Sequence, residues 1–162
     1  GAQCVPAGSL FKTGNRVDEL ATKSAKKSIL KNAKIVACSG EYNQKEAASN
    51  LIDGDLKTKW CDIKGAPYYV SFQLDGEHTI SGWYLANAGE ESSGYITSTC
   101  LLQYRNSEQE EWKTADMING NKLNEVERTF TPVKARYVRL YVVSATQDAD
   151  HDAVRIHEFE VY

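Results

Sequence analysis

The sequence predicts an all-β fold, a two-sheet sandwich or jelly roll, and three observations carry that prediction. From about Lys34 onward, β-branched and aromatic runs are broken by Gly, Asn and Asp. Several of these runs alternate apolar and polar residues with the two-residue period of a half-buried strand. The turn dipeptides Asp75-Gly76 and Asn119-Gly120 fall between runs, where antiparallel connections belong. With 162 residues, 41% hydrophobic and 25% charged, the chain has the size of one domain built on one core.

Charge separates the first part from the rest. Residues 1–34 carry a net +5 and residues 35–162 a net −8. Val17, Leu20, Ala21, Ser24 and Ser28 recur at helical spacing behind Asn15 as an N-cap, so residues 1–33 read as an extension or linker with one short helix. Residues 34–162 read as the sandwich, with strands expected at 68–75, 79–86, 97–105, 111–118, 126–131, 136–144 and 154–162. In the run 136–142, Val138, Leu140 and Val142 share an inward face, and Tyr137, Arg139 and Tyr141 the outward one. In the last run Ile156 and Glu158 share a face, which makes Glu158 the oddity. Trp60, Trp83 and Trp112 fall in or beside strands and are expected in the core.

Composition removes several functions. A net charge of −3 supplies no cationic excess for a phosphate backbone, so no nucleic-acid partner is expected. No run approaches the roughly 20 apolar residues of a membrane helix. Cys4, Cys38, Cys61 and Cys100 lack C-x-x-C spacing, which argues against structural zinc and leaves disulfides open. There is no Gly-x-Ser-x-Gly elbow, His-Glu-x-x-His or phosphate loop, and His78, His151 and His157 have no evident nucleophilic partner. A non-catalytic binding module is the expectation.

The most informative stretch is 48–60. Asp53 and Asp55 flank Gly54, whose freedom lets the chain curl and aim several oxygens at one point. Calcium takes about six to eight oxygens at about 2.3–2.6 Å and tolerates irregular geometry. The loop lacks the spacing of an EF-hand, so a distant residue must complete any cage, and Glu158 is the candidate. An ordinary Asx turn gives the same local pattern without a metal.

The pattern Asn50-x-x-Asp53-Gly54-Asp55-x-x-Thr58-x-Trp60 resembles the first loop of the discoidin, or coagulation-factor type C, domains, which are galactose-binding-like β-sandwiches. The resemblance continues through Tyr69-Val70-Ser71-Phe72-Gln73-Leu74-Asp75, Ile80-Ser81-Gly82-Trp83, Leu102-Gln103-Tyr104-Arg105 and Glu111-Trp112. It closes at Ala135-Arg136-Tyr137-Val138-Arg139-Leu140-Tyr141 and at Arg155-Ile156-His157-Glu158-Phe159-Glu160-Val161-Tyr162. Within that family the chain is most similar to the bacterial family 32 carbohydrate-binding modules that accompany secreted glycoside hydrolases.

The resemblance implies a structural Ca2+ site. Asn50 and Asp55 would give main-chain carbonyls, Asp53 a carboxylate, Thr58 its carbonyl and hydroxyl, His157 a carbonyl and Glu158 the last carboxylate. It also implies a secreted or cell-surface module that recognises terminal galactose, GalNAc or GlcNAc on glycans and targets an attached catalytic domain. A sugar site needs an aromatic platform for the ring's C–H face and polar groups for its hydroxyls. The corresponding loops, 39–46, 61–68, 88–97 and 145–153, offer Tyr42, Tyr68 and Tyr95 as rings. The first choices for sugar contact are Glu41, Tyr42, Asp62, Asn87, Glu90, Tyr95 and His151. These loops contain no Arg, a departure from the family habit of setting one against a ligand hydroxyl. The rival expectation is an adhesion domain that binds a protein or phospholipid surface. For phospholipid, Ile63 and Ile96 are the only large aliphatics in these loops and the charge repels anionic membranes.

Overall fold

The computed structural model describes residues 26–147 and 152–162. Seven strands form it: β1 (Lys34–Cys38), β2 (Trp60–Asp62), β3 (Tyr68–Asn87), β4 (Thr99–Arg105), β5 (Lys113–Ile118), β6 (Glu125–Ser144) and β7 (Val154–Val161). They hydrogen-bond antiparallel in the order β2-β7-β3-β6-β4-β5, and β1 joins β3. The first half of β3 lies between β1 and β6, and its second half between β7 and β6. β3 and β6 therefore travel together as a bent ribbon that contributes to both layers of a sandwich.

That ribbon corrects two expectations. The runs 68–75 and 79–86 are one strand, as are 126–131 and 136–144. Asp75-Gly76 does not reverse the chain. The β3–β6 register shifts between Gln73 and His78 and again between Ile80 and Gly82, so the strands bend while staying paired. At Asn119-Gly120 the chain bends, with Gly120 at φ 63°, and leads from β5 into a strand that pairs with β3 and β4. β1 and β2 are additional strands; three residues of β2 are too few to display a period.

The core lies between the layers. Phe72 of β3 and Phe159 of β7 meet with ring centroids 5.7 Å apart, and Trp83 meets Phe159 edge-on at 6.3 Å. Val138, Leu140 and Val142 are fully buried, as the alternation predicts. Trp60 and Trp83 are buried too, but Trp112 is half-buried on the outer surface between the guanidinium groups of Arg105 and Arg139. Cation–π stacking, not burial, holds it. Ahead of β1, a 3-10 turn at Ile29–Asn32 is capped by the Ser28 hydroxyl, which also accepts from Val161 N. The turn inserts Leu30 fully into the core. The helical run predicted from Val17 lies, apart from Ser28, outside the described residues. Cys38, Cys61 and Cys100 are free thiols, and Cys4 lies outside the described residues. Among the described residues no helix is long and apolar enough to cross a membrane.

Candidate functional site

The strand register decides where the functional loops emerge. Cys38 pairs near the start of β3, Asp62 pairs with the start of β7, and Ser144 with the start of β4. The loops after β1, β2 and β6 and the segment before β4 therefore leave the sandwich at one end. The bent ribbon returns the end of β3 to the same place. Gln147 laces the loops, its main-chain N–H bonding Gly94 O at 3.0 Å and its side chain donating to Ile96 O at 2.9 Å and Asn121 O at 2.8 Å.

Loop 48–60 is organised by its own oxygens. The 3-10 turn Ala48–Ile52 starts with Glu41 Oε2 accepting from Ala48 N at 2.8 Å. The Asn50 amide donates to the carbonyls of Lys45 and Lys59, both at 2.8 Å, and closes the loop's base. Gly54, at φ 75°, adopts the left-handed angle the curl requires. Asp53 Oδ1 accepts from Asp55 N at 2.9 Å, and Asp53 Oδ2 accepts from the Thr58 hydroxyl, which lies 3.1 Å from the Asp55 carbonyl oxygen. The Asp55 carboxylate turns away to accept from Lys57 N at 2.8 Å. Glu158 Oε2 reaches over from β7 to accept from Gly54 N at 3.1 Å. Carboxylates of Asp53 and Glu158, the Thr58 hydroxyl and nearby carbonyls make an all-oxygen donor set, which fits a hard cation and not a soft one.

A neighbouring group escapes sequence reasoning. The His157 ring, nearly buried, places Nδ1 2.7 Å from the Thr58 carbonyl oxygen and Nε2 2.6 Å from Glu90 Oε2. Glu90, Glu91 and His157 offer ligand atoms within 4.8 Å of one another. Glu91 is also held by Lys59, which bridges it to Glu46. Burial alone would lower the Lys59 pKa, but its bonds to Glu46 and Glu91 outweigh it and raise the value. Glu90 and His157 come from elements 67 positions apart, so no local pattern announces the pair.

The residues chosen for sugar contact divide into two kinds. Asp62 is 1% exposed and accepts from the Ser39 hydroxyl at 2.7 Å and from Lys64 N at 3.1 Å. Asn87, fully buried, accepts from Thr97 N at 3.2 Å and donates to Asn124 O at 3.1 Å. The Tyr68 ring is also fully buried, its hydroxyl donating to Asp152 O at 2.9 Å, so it is a core residue and no stacking platform. By contrast, Tyr42 is 56% exposed while its main-chain N–H anchors to Cys61 O at 2.7 Å. Glu41 and Glu90 are exposed, and Tyr95 is half-buried. His151 lies outside the described residues.

Arg155 brings a guanidinium to this end of the sandwich. It sits 3.9 Å over the Tyr95 ring, and its Nη1 is buried with no hydrogen-bond acceptor among the described residues. It belongs to β7, opposite Cys61 of β2, so a search confined to loops passes over it.

Comparison with known proteins agrees with this architecture. The F5/8 type C domain family matches residues 34–159. The family 32 carbohydrate-binding module of Streptococcus pneumoniae EndoD superposes with a TM-score of 0.73 at 23% identity, covering 84% of this chain and 99% of that one. Chitosan-binding module 2 of a Paenibacillus sp. IK-5 chitosanase/glucanase, solved with chitotriose, gives 0.68 at 25% identity, covering 83% and 98%. A Clostridium perfringens family 32 module solved with GalNAc-β-1,3-galactose gives 0.70 at 16% identity, covering 84% and 99%. In sequence, the chain is 31% identical over 120 residues to a sialidase of Micromonospora viridifaciens, which covers 70% of this chain but only 18% of the sialidase. The chain belongs to the F5/8 type C, or discoidin, domain family and has the β-sandwich fold of the family 32 carbohydrate-binding modules.

Proposed function

We propose that this chain is a non-catalytic carbohydrate-binding module whose loop end grips a terminal galactose, GalNAc or GlcNAc-type sugar. In this reading it works at the cell surface or outside the cell and delivers an attached glycoside hydrolase to its glycan. The observation that carries the reading is the Tyr95–Arg155 stack at 3.9 Å: a ring and a planar donor, immobilised together, at the end where the exposed Tyr42 ring also stands. Tyr42 and Tyr95 serve as platforms for the sugar's C–H face, while Glu41, Glu90, Arg155 and His151 meet its hydroxyls. Asp62 and Asn87, whose polar atoms are already bonded inside the protein, hold the loops in shape. Chitotriose and GalNAc-β-1,3-galactose in the solved relatives support a hexosamine or galactose class of ligand.

The second part of the proposal is one structural Ca2+ held by Asp53, Thr58 and Glu158, with the carbonyls of Asn50, Asp55, Thr58 and His157. The ion supplies no chemistry to a reaction and ties the first loop to the last strand. A glycan array with the whole chain tests the function. Signals confined to glycans ending in galactose, GalNAc or GlcNAc support the reading, and the absence of any glycan signal with capture of a protein partner favours the adhesion alternative.

A further inference from the structure

A second surface, away from the loops, is also built for recognition. On the β3–β6–β4 layer the inward positions are filled by Tyr68, Val70, Phe72, Val138, Leu140, Val142 and Leu102, so their neighbours face outward. Those neighbours are Tyr69, Tyr137, Arg139, Tyr141, Gln103 and Arg105, with Trp112 lying over them. Arg139 lies 4.7 Å from the Trp112 ring, 4.7 Å from Tyr141 and 5.9 Å from Tyr69. Arg105 lies 4.2 Å from Trp112 and 5.6 Å from Tyr137.

Two guanidinium groups are thus crowded onto one indole, and the domain around them is acidic. Burial holds the Arg139 pKa below its ordinary value, and the Arg105 charge adds to it, while Tyr141 and Tyr69 act the other way. Arg105 Nε is buried with no hydrogen-bond acceptor among the described residues. Arg139 Nε donates to Gln103 Oε1 at 2.8 Å and Arg105 Nη1 to the Glu110 carbonyl at 3.1 Å, yet among the described residues neither guanidinium forms an ion pair with a carboxylate. Two like charges held in place by neutral acceptors and aromatic rings form a preorganised anion receptor, and the planar fork of Arg suits a carboxylate.

The face is long as well as cationic. Tyr137 and Tyr141 stand on the same side of one strand four residues apart, about 13 Å at the rise of a β-strand. At the Tyr137 end the face opens into a cleft of about 610 Å³ whose lining includes Lys34 and Arg136, the carboxylates of Asp75 and Glu108, and Asn106 and Tyr137. Asn106 Oδ1 is buried there with no donor among the described residues. A terminal sugar needs no such span; a chain of several sugar units fills it.

We propose that this sheet face and its cleft are a second glycan contact, which takes an extended acidic polysaccharide with sugar carboxylates at Arg105 and Arg139 and pyranose rings against Tyr137, Trp112 and Tyr141. The site is independent of the loop end. The test is electrophoresis of the whole chain through gels containing polygalacturonate or neutral dextran, with oligogalacturonate titrated by calorimetry. Polygalacturonate retards the protein and dextran does not. The R105Q/R139Q variant, with its circular dichroism unchanged, binds oligogalacturonate about tenfold more weakly, the equivalent of about 1.4 kcal/mol. Tyr42→Ala, at the loop end, leaves that affinity unchanged. Tyr141→Ser, which opens no core position, also weakens binding and decides the matter if the double variant fails to fold. Three results overturn the proposal: no retardation by polygalacturonate, as a protein-docking face would give; equal retardation by dextran; or full affinity in the sheet-face variants, which would assign binding to the basic residues 1–34.

Discussion

Glu158, on the last strand, accepts a hydrogen bond from the main-chain N–H of Gly54 in the first long loop, 104 positions away. An inward carboxylate that looks misplaced in a strand is in fact the clasp between the two ends of the domain. The same contact brings Asp53, Thr58 and Glu158 to one neighbourhood and links loop geometry to sheet stability.

Chelation lowers the melting temperature if that neighbourhood holds Ca2+. An ion bound only by the folded state stabilises it by RT ln(1 + [L]/Kd), about 2.7 kcal/mol at a hundredfold excess. For a domain of this size that corresponds to about 5–10 °C. Scanning calorimetry with calcium and with EDTA should show this shift in the parent chain and none in Glu158→Gln.

Tyr42→Ala and Tyr95→Ala each weaken sugar binding about tenfold, about 1.4 kcal/mol, without changing the fold. His151→Ala acts in the same direction through a lost hydroxyl contact. Calorimetric titration with each variant checks the effect, and unaltered affinity in all three would place the sugar elsewhere on the rim.

Leu30→Ala costs about 2–5 kcal/mol because it empties a fully buried position in a filled core. The loss is visible as a lower urea midpoint. An effect near zero would mean that the turn at Ile29–Asn32 packs only loosely on the sandwich.

Asp116 governs part of the acid limb. Burial alone would raise its pKa, but hydrogen bonds from Arg128 and the Trp83 indole outweigh it and hold the carboxyl below its ordinary value. The ionised form is therefore favoured by folding. Its contribution is present above the unfolded value near 3.8 and is lost as pH falls through the lower, folded value. Asp116→Asn should flatten the fall in stability below about pH 4, and Asp116→Ala should cost about 1–3 kcal/mol at neutral pH by leaving the Trp83 N–H without its acceptor. Denaturant melts from pH 3 to pH 7 check both.

The sequence reading succeeds where the deciding physics is local. The inward set Val138, Leu140 and Val142 follows from strand alternation, and the curl at Gly54 follows from the residues around it. Reasoning from adjacent residues breaks down where pairing across the sheet decides. Asp75-Gly76 has turn chemistry, yet β6 stays hydrogen-bonded alongside and the chain bends instead of reversing. Asp62 and Asn87 carry the right groups for a sugar, but only the fold reveals that they are buried and bonded to Ser39 and Thr97. Arg155 is hidden for a different reason: it occupies a strand position, and its stack on Tyr95 joins residues that the sequence holds far apart.

The most direct measurement is calorimetric titration of the calcium-loaded chain with GalNAc-β-1,3-galactose and with chitotriose, repeated on Tyr95→Ala and Arg155→Gln. Saturable binding of at least one of these sugars, lost or weakened about tenfold in both variants, is the predicted result. No heat with either sugar, or equal binding by parent and variants, would contradict a sugar site at the Tyr95–Arg155 stack.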